Sequence, residues 1–335
     1  MKTYIQHVAE RKTLSETEAT SAFDLIMAGV ATPAQIGALL MGLRVRGETV
    51  EEIAGAAASM RRHAVFVDPR GLPVVDTCGT GGDGAGSFNI STAAALVVAG
   101  AGVPVAKHGN RAITSKCGSA DVLAALGVNI EAPADTMEAC LHEFGLAFLY
   151  APAMHPAMKH AGAVRRELGT RTIFNLLGPL SNPAGAKCQV LGVFAPELTE
   201  MLAEVLRRLG SRRVFVVHGH DGMDEITTTA RTRVSELHSG RIKTYDLDPL
   251  EFFDELASPA DLAGGVPTEN AGIIRRILAG EKGPRRNIVC LNAAAGLVAG
   301  GKAETLHAGL KLAEAALDSG RVGEVLQKLV RGTNA

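Results

Sequence analysis

From Pro73 onward, short apolar segments alternate with segments of helical periodicity. Strands that alternate with helices are typical of a parallel sheet with crossover helices, so the pattern predicts an α/β fold with a mostly parallel central sheet. The predicted strands cover residues 74–76, 103–106, 128–130, 146–150, 189–194 and 213–218. Helices are predicted from about residue 91 and over residues 119–126, 135–144 and 197–209.

The segment that follows these strands has a different pattern. Residues 233–245 alternate apolar and polar side chains around Ser239-Gly240, a dipeptide typical of turns. This predicts an antiparallel hairpin at the edge of the sheet. From Glu269 to the last residue, the sequence predicts helices again.

The first sixty residues predict helices alone. Three capping boxes follow one another, each with Ser or Thr at the N-cap and Glu or Gln three residues later. They are Ser15–Glu18, Thr32–Gln35 and Thr49–Glu52, and apolar residues follow each of them at helical spacing. We therefore expect a small helical domain over residues 1–67 and a large α/β domain over residues 70–335.

Charge and composition narrow the range of partners. The net charge is −1, so we expect neither nucleic acid nor an anionic membrane surface as a partner. No apolar run reaches the ~18 residues of a membrane-spanning helix, and the N-terminal residues lack the apolar core of a signal peptide. The five cysteines have no Cys-x-x-Cys spacing, which suits reduced thiols. These features predict a cytoplasmic protein.

A glycine-rich loop follows the first predicted strand of the sheet. Residues 79–84 match the pattern Gly-x-Gly-x-x-Gly, which alone is weak evidence for a dinucleotide site. No helix opens at Gly84, and the next strand ends at Lys107, where a dinucleotide site needs Asp or Glu. A P-loop is excluded because no Gly-Lys-Ser/Thr follows. The loop and the helix start at residues 89–92 predict an anion site, although a flexible turn capped by Ser91 would have the same sequence.

Basic segments follow at two other places. Residues 107–119 combine lysines with hydroxyls and amides, which are phosphate ligands, although a solvated loop would have a similar composition. Arg165 and Arg166 lie on the helix after Pro156, about 100° apart, so one can face a site while the other meets solvent. A guanidinium binds a carboxylate through two parallel hydrogen bonds, but a solvated basic helix face would also explain these residues.

Two adjacent carboxylates, Asp224 and Glu225, follow the predicted strand 213–218. Such a pair suits Mg²⁺ beside a phosphorylated substrate, although acidic pairs are also common on surfaces. His218 and His220 lack a third ligand at a suitable spacing, so we exclude zinc.

These motifs together resemble those of the anthranilate phosphoribosyltransferase family, in the family's order and over nearly the whole chain. The resemblance is carried by residues 79–83, 89–92, 107–112, 118–123, 174–183 and 224–225. It implies a small N-terminal helical domain, completed by helices around residues 156–185, and a large α/β domain of the nucleoside phosphorylase/phosphoribosyltransferase type. Substrates would bind in the cleft between the domains. A homodimer joined through the helical domain is also implied.

The reaction implied by the resemblance is transfer of the phosphoribosyl group of 5-phosphoribosyl-1-pyrophosphate (PRPP) to the amine of anthranilate. Pyrophosphate is released, and the product belongs to tryptophan biosynthesis. The reaction would depend on Mg²⁺, with two ions per monomer. Because an aromatic amine is neutral near pH 7, no strong general base is required, and we assign no catalytic acid or base.

Carried over position by position, the resemblance assigns three sets of residues. PRPP would be bound by Gly79, Gly82, Asp83, Ser87, Asn89, Ile90, Ser91, Thr92, Lys107, His108, Gly109, Asn110, Arg111, Ala112, Ile113, Thr114, Ser115 and Ser119. Anthranilate would be bound by Gly79, Asn110 and Arg165, with His108, His155 and Pro179 along its channel. Mg²⁺ would be held by Ser91, Asp224 and Glu225.

Two residues depart from the family's usual pattern. Ser87 stands where Thr is usual, which keeps the hydroxyl. Met154 stands where many relatives have His, which would change the anthranilate entry channel.

Two other functions belong to related folds. A pyrimidine-nucleoside phosphorylase would have its own lysine-containing glycine motif and no paired acidic Mg²⁺ site, so Asp224 and Glu225 argue against it. A non-catalytic, nucleic-acid-binding relative would have a basic surface and eroded motifs, and the net charge of −1 argues against that alternative.

Overall fold

A seven-stranded sheet lies at the centre of the structure, a computed structural model that describes residues 1–112 and 115–335. Its strands are Val75–Gly79 (β1), Val105–Gly109 (β2), Leu146–Tyr150 (β3), Cys188–Gly192 (β4), Arg213–Gly219 (β5), Thr232–His238 (β6) and Arg241–Leu247 (β7). They are ordered β3-β2-β1-β4-β5-β6-β7, with β1 to β5 parallel and β6 and β7 antiparallel. The predicted mostly parallel sheet with an edge hairpin is therefore confirmed.

Helices cover both faces of the sheet. They are Lys2–Ala9 (α1), Glu16–Met27 (α2), Pro33–Arg46 (α3), Val50–Arg62 (α4), Ile90–Gly100 (α5), Ser119–Ala125 (α6), Ala134–Phe144 (α7), Ala151–Met154 (α8), Lys159–Leu168 (α9), Phe174–Leu180 (α10), Leu198–Arg208 (α11), Pro267–Leu278 (α12), Pro284–Ala299 (α13), Leu306–Asp318 (α14) and Arg321–Thr333 (α15). Among the residues described, none of these helices has the length and apolar character needed to cross a bilayer.

One predicted strand is wrong. Residues 128–130 lie in a loop and turn between α6 and α7. The N–H of Val128 donates to the carbonyl of Leu123 in α6, and the N–H of Asn129 donates to Oγ1 of Thr333 in α15. The apolar side chains of this segment are buried, as in a strand, but helices rather than a neighbouring strand accept its backbone hydrogen bonds.

The three predicted capping boxes are confirmed at the starts of α2, α3 and α4. Each cap satisfies backbone N–H groups that the helix leaves unpaired, and such a cap is typically worth about 1 kcal/mol. Helices α2 and α4 then pack so closely that a side chain at the contact would collide with the backbone of the other helix. A Cβ atom on Gly55 would lie 2.3 Å from the carbonyl oxygen of Glu16, so this contact requires glycine.

The two faces of the sheet bury different helices. On one face, strand residues such as Val75, Val105 and Phe215 join an apolar cluster with α5, α13, α14 and α15. On the other, Leu191 and Val216 join a cluster with α2, α3, α4, α9, α10 and α11. The predicted fold class, a small N-terminal helical domain beside a large α/β domain, is confirmed, while the boundaries at residues 67 and 70 stay a prediction.

The order of the strands decides where a ligand can bind. β1 lies between β2 and β4, so the chain proceeds to one side of β1 through β2 and β3 and to the other side through β4 and β5. In open α/β sheets, ligands bind outside the carboxyl ends of the strands at such a reversal. The loops after β1, β2, β4 and β5 are therefore the place to look for a site.

Candidate active site

The glycine-rich loop after β1 lies at this reversal and contacts the loop after β5. The backbone N–H of Gly81 donates to Oδ2 of Asp224 at 2.8 Å. A Cβ atom on Gly79 would lie 2.5 Å from the same oxygen, so a larger residue would collide with it. Gly81 and Gly82 have φ values of +66° and +76°, the left-handed region that favours glycine. Both are exposed, which leaves a turn of backbone that an anion can approach.

The carboxylates of Asp83, Asp224 and Glu225 form an acidic cluster beside this loop. The N–H of Asp224 donates to Oδ2 of Asp83 at 3.4 Å, and the N–H of Ser91 donates to Oε1 of Glu225 at 3.0 Å. Burial and the charge of Asp83 raise the pKa of Asp224 to about 7. Burial and the charge of Asp224 raise the pKa of Glu225 to about 8. Because these neighbouring carboxylates repel one another, the acidic cluster is stabilised by binding either a proton or a cation.

The donor atoms of the acidic cluster fit a hard divalent cation. Mg²⁺ prefers carboxylate and hydroxyl oxygens, usually keeps several waters, and bridges to substrate phosphates. Within residues 1–112 and 115–335, no three His, Cys, Asp or Glu side chains are arranged to hold a metal ion on their own. A cation held by Ser91, Asp224 and Glu225 would therefore complete its coordination with oxygens of a substrate or of water.

Lys107, a predicted PRPP ligand in β2, has a buried side chain. Its Nζ donates to the carbonyl of Thr77. A buried ammonium group requires acceptors and opposite charge, and both are present on its neighbours. Its charge lowers the pKa of Asp76 in β1 and of Glu225, against the effect of burial on each. Lys107 therefore acts on the acidic cluster from inside the protein.

Asp76 is buried at the centre of what we call the Asp76 network: Asp76, Cys78, His108 and Asn182. Oδ1 of Asp76 accepts the backbone N–H of His108 at 3.0 Å. Oδ2 accepts a hydrogen bond from Nδ2 of Asn182 at 2.8 Å and another from the thiol of Cys78 at 3.4 Å. The network joins β1, β2 and the segment after α10. The sequence motifs assigned no role to Asp76, although an Asp inside a buried strand is itself a signal.

The described parts of the loop after β2 are residues up to 112 and from 115 onward. Ile113 and Thr114, both predicted to contact PRPP, lie outside the described residues. The N–H of Asn110 donates to Oγ of Ser119 at 3.2 Å, so two predicted PRPP ligands lie together. Gly109, Ala112 and Ser115 lie on the same described loop ends, where Ser115 is exposed.

Asp121 in α6 holds both ends of this loop. Its Oδ2 accepts the N–H groups of Ala112 and Gly118, each at 2.9 Å, and its Oδ1 pairs with Arg111 at 3.0 Å. Arg111 also lies over the ring of Tyr150, with Cζ 5.9 Å from the centroid. A predicted phosphate ligand, Arg111, is therefore engaged by protein groups in this conformation.

The start of α5 contains the remaining predicted PRPP ligands. Asn89 is its N-cap, so the alternative in which Ser91 caps the helix is wrong. The carboxamide of Asn89 donates to the carbonyl of Cys117 at 3.1 Å. The hydroxyl of Thr92 is buried and has no partner among the described residues. Ser87 forms an isolated antiparallel β-bridge with Ala263, and the side chain of Ile90 belongs to the apolar core.

His108 and His155 lie side by side, with ring centroids 5.0 Å apart. Burial lowers the pKa of His108 to about 3 and of His155 to about 4, so both rings are neutral at pH 7. Nδ1 of His108 lies 3.0 Å from the carbonyl of Gly178, so it carries the ring proton and Nε2 is an acceptor. Neither Nε2 has a partner within the described part of the chain, so each is a buried acceptor that no donor satisfies.

Arg165 in α9 lies over the ring of Phe174, with Cζ 5.2 Å from the centroid, and burial lowers its pKa. Arg165 is partly buried whereas Arg166 is exposed, so the two neighbouring arginines have different surroundings. Pro179 is buried in α10, and its carbonyl accepts Nε2 of Gln189 at 2.7 Å.

Met154 is buried in a third apolar cluster with residues such as Ala147 and Leu149. Its carbonyl accepts the N–H of Val65 at 2.8 Å. The side chain that replaces the usual His therefore contributes to apolar packing.

Three side chains to which the sequence analysis assigned no role hold the predicted site together. Asp121 does so at the loop after β2, where its carboxylate accepts the N–H of Gly118, the N-cap residue of α6. Asn270 in α12 donates to Oδ1 of Asn89 at 2.9 Å. Arg171, between α9 and α10, donates to the carbonyl of Gly82 at 2.6 Å. No sequence signal pointed to the last two, because each contact joins distant parts of the chain.

Two family descriptions match the chain. Residues 2–64 match the helical bundle domain of a glycosyl transferase family, and residues 71–322 match the a/b domain of the same family. Among curated relatives, the anthranilate phosphoribosyltransferase of Desulfosudis oleivorans is 58% identical over 332 residues, which cover 99% of this chain and 98% of that protein.

Solved structures agree with this match. The crystal structure of anthranilate phosphoribosyltransferase from Thermus thermophilus has a TM-score of 0.94 and 46% identity, and the alignment covers 99% of each chain. The Saccharomyces cerevisiae anthranilate phosphoribosyltransferase, solved in complex with PRPP and Mg, has a TM-score of 0.89 and 29% identity. That alignment covers 99% of this chain and 97% of the yeast chain.

Proposed function

The chain belongs to the anthranilate phosphoribosyltransferase family, and from this we propose which of its residues carry the reaction. It transfers the phosphoribosyl group of PRPP to the amine of anthranilate, in the second step of tryptophan biosynthesis from chorismate. The products are N-(5-phosphoribosyl)anthranilate and pyrophosphate. One observation supports the assignment of the site above all. At the reversal of strand order, the glycine-rich loop and Ser91 both hydrogen-bond carboxylates of the acidic cluster.

The phosphates of PRPP bind at the glycine-rich loop and the start of α5. Exposed backbone N–H groups of the loop are preorganised donors for an anion, as in other backbone concavities that bind phosphate. The hydroxyls of Ser91 and Thr92 and the loop after β2 complete the site. Lys107 supplies positive charge from inside the protein, where it offsets part of the repulsion among the carboxylates.

Mg²⁺ is held by Ser91, Asp224 and Glu225, with two ions per monomer. When bound, it neutralises negative charge on the departing pyrophosphate. The raised pKa values of Asp224 and Glu225 support this assignment, because the two carboxyls have little compensating charge other than Lys107. Substrate phosphates supply the remaining oxygens, which explains why the described residues alone provide so few ligands.

Anthranilate binds between the glycine-rich loop and α9. Arg165 holds its carboxylate, and Asn110 helps to direct the amine at the anomeric carbon, which is catalysis by positioning. His108 and His155 are neutral and offer Nε2 atoms that have no partner among the described residues along the channel. The amine attacks with a lone pair that is already free at pH 7, so departure of pyrophosphate is the difficult step and no general base is needed.

The decisive experiment follows anthranilate fluorescence in a mixture of the purified protein and PRPP. We expect loss of fluorescence that requires both PRPP and Mg²⁺ and stops when EDTA is added. A folded protein that binds PRPP but leaves anthranilate unchanged would contradict the assignment of the acceptor.

The anthranilate site is tested by Arg165→Ala. Loss of a charge-assisted contact to the substrate carboxylate should raise the KM for anthranilate at least about tenfold, with a smaller change for PRPP. Arg166→Ala is the matched control, because Arg166 is the exposed neighbour on the same helix. An unchanged KM for anthranilate in Arg165→Ala would remove Arg165 from the site.

The protein acts as a homodimer joined through its helical domain. Of the exposed large apolar side chains in the described residues, half lie within the first 66 residues: Val30, Val45, Val65 and Phe66. These side chains are candidates for burial against a second copy of the chain, since interfaces bury exposed apolar surface. Light scattering of the purified protein would contradict the dimer if it gave the mass of a single chain.

The domain division and the location of the protein complete the proposal. The helical domain covers residues 1–67 and is completed by helices around residues 156–185, which share an apolar cluster with α2 to α4. The α/β domain covers residues 70–335. All five cysteines are free and buried, which suits a protein of the reducing cytoplasm.

A further inference from the structure

Arg171 lies in the short connection between α9 and α10 and contacts the glycine-rich loop. Its Nη2 donates to the carbonyl oxygen of Gly82 at 2.6 Å. The guanidinium lies over the ring of Phe194, which follows β4, with Cζ 3.9 Å from the centroid. Stacking of this kind restricts the rotation of an arginine side chain and fixes the direction of its donors. The guanidinium of Arg171 is therefore fixed in place, and it contacts the loop at the carbonyl of Gly82.

The tip of the glycine-rich loop has few other contacts. Within residues 1–112 and 115–335, the side chains outside the loop that hydrogen-bond Gly81 and Gly82 are those of Asp224 and Arg171. Asp224 is a proposed Mg²⁺ ligand, and a carboxylate that binds a cation is a weaker acceptor for a backbone N–H. Arg171 is then the side chain that keeps the tip in place when the cation is bound.

The contact also sets the direction of a backbone donor. In a trans peptide, the carbonyl oxygen and the following N–H point to opposite sides of the chain. Because Arg171 binds the carbonyl of Gly82, the N–H of Asp83 is directed away from Arg171. Gly82, with φ at +76°, has no Cβ and would otherwise allow this peptide to rotate easily.

We propose that Arg171 is a positioning residue for PRPP, which holds the peptide between Gly82 and Asp83 so that the loop offers its N–H groups to the substrate's phosphates. The proposal rests on the proposed function, because it assigns the loop to PRPP. Arg171 acts through the loop and contacts neither reacting atom. It also gives α9 and α10, which carry the anthranilate side of the site, a direct connection to the PRPP side.

The test measures kcat and both KM values for Arg171→Ala. Loss of one charge-assisted hydrogen bond should raise the KM for PRPP about tenfold. The KM for anthranilate and kcat should each change by less than about twofold, because the loop binds PRPP in the ground state and the transition state alike. Arg166→Ala, which removes an exposed arginine of α9, should match the wild type in all three constants.

Two further variants test the hydrogen bond of Arg171 and its stacking on Phe194 separately. Arg171→Lys keeps a donor that reaches the carbonyl but loses the planar stack, so its KM for PRPP should lie between those of the wild type and Arg171→Ala. Phe194→Leu keeps an apolar side chain but removes the ring, and should raise the KM for PRPP about threefold. If Arg171→Ala does not fold, the KM values of these two variants are sufficient to test the proposal.

Several results would overturn the proposal. An unchanged KM for PRPP in Arg171→Ala, or in both Arg171→Lys and Phe194→Leu, would show that the contact does not position the loop. A fall in kcat larger than the rise in the KM for PRPP would indicate a direct contact of Arg171 with the departing group. A wild-type protein without PRPP-dependent activity would instead contradict the proposed function, so the two failures are distinguishable.

Discussion

Asp76 in β1 and Glu225 after β5 both interact with the charge of Lys107, but their carboxylate oxygens have different partners. Asp76 accepts hydrogen bonds from a backbone N–H, a carboxamide and a thiol. Glu225 accepts the N–H of Ser91 and lies beside another carboxylate, Asp224. Donors therefore surround Asp76, whereas Glu225 is surrounded in part by negative charge.

These partners distinguish a structural carboxylate, Asp76, from carboxylates that are available to a ligand. A buried charge whose acceptor positions are filled ties together the elements that supply the donors. A cluster of like charges is destabilised until a proton or a cation joins it. The Asp76 network and the acidic cluster thus contain the same chemical group and are expected to respond to mutation in opposite ways.

The largest expected effect is on activity in the acidic cluster. Asp224→Asn and Glu225→Gln each remove a charged metal ligand, so each should lower kcat/KM by at least about 100-fold in the fluorescence assay with Mg²⁺. Asp254→Asn, at an exposed carboxylate outside both groups, is the control and should keep wild-type activity. Retention of more than about a tenth of the activity by both cluster variants would remove the distinction between the two groups.

The second effect is on stability in the Asp76 network. In Asp76→Asn, the NH2 of the amide would face one donor, either the N–H of His108 or Nδ2 of Asn182, and Lys107 would lose a neighbouring charge. The free energy of unfolding should fall by about 2–3 kcal/mol, measured by urea denaturation. Asp83→Asn makes the same chemical change in the acidic cluster and should cause no loss. Equal losses in the two variants would mean that the two groups do not differ.

The smallest effect is on the pH dependence of stability without Mg²⁺. The pKa of Glu225 is raised to about 8 from an ordinary value of 4.5, so the folded protein binds more protons than the unfolded chain in that range. This contribution to stability is fully present below about pH 4.5 and is lost as the pH rises through about 8. Glu225→Gln should therefore gain stability over the wild type in EDTA, by on the order of 1 kcal/mol for each pH unit between about pH 6 and pH 8. Parallel pH profiles for the two proteins would contradict the raised pKa.

Much of the fold could be predicted because its signals are local. Capping boxes, helical spacing and the turn at Ser239-Gly240 each involve residues within a few positions of one another, and each is confirmed. The predicted strand at residues 128–130 failed because burial alone does not distinguish a strand from a buried loop. Its backbone partners are α6 and α15, and the second of these lies 204 residues away.

The site was predicted less completely than the fold. The glycine-rich loop and the Asp224-Glu225 pair stand out in the sequence, and the structure brings them into contact across 143 residues. Asp121 lay within a motif of the sequence, but Asn270 and Arg171 did not. The family assignment was confirmed, while the role of each site residue stays a prediction.

Local signals in the sequence predict most of the helices and strands, the glycine-rich loop, and the kinds of side chain that can meet a phosphate and a cation. These depend on backbone preference and residue chemistry, which act over short distances along the chain. The burial of Lys107, the donors around Asp76 and the contact of Arg171 with Gly82 depend on tertiary packing. The hydrogen bonds of Asp76 with Asn182 and of Arg171 with Gly82 span 106 and 89 residues. Such contacts form only when the packing of the sheet and helices brings their elements together.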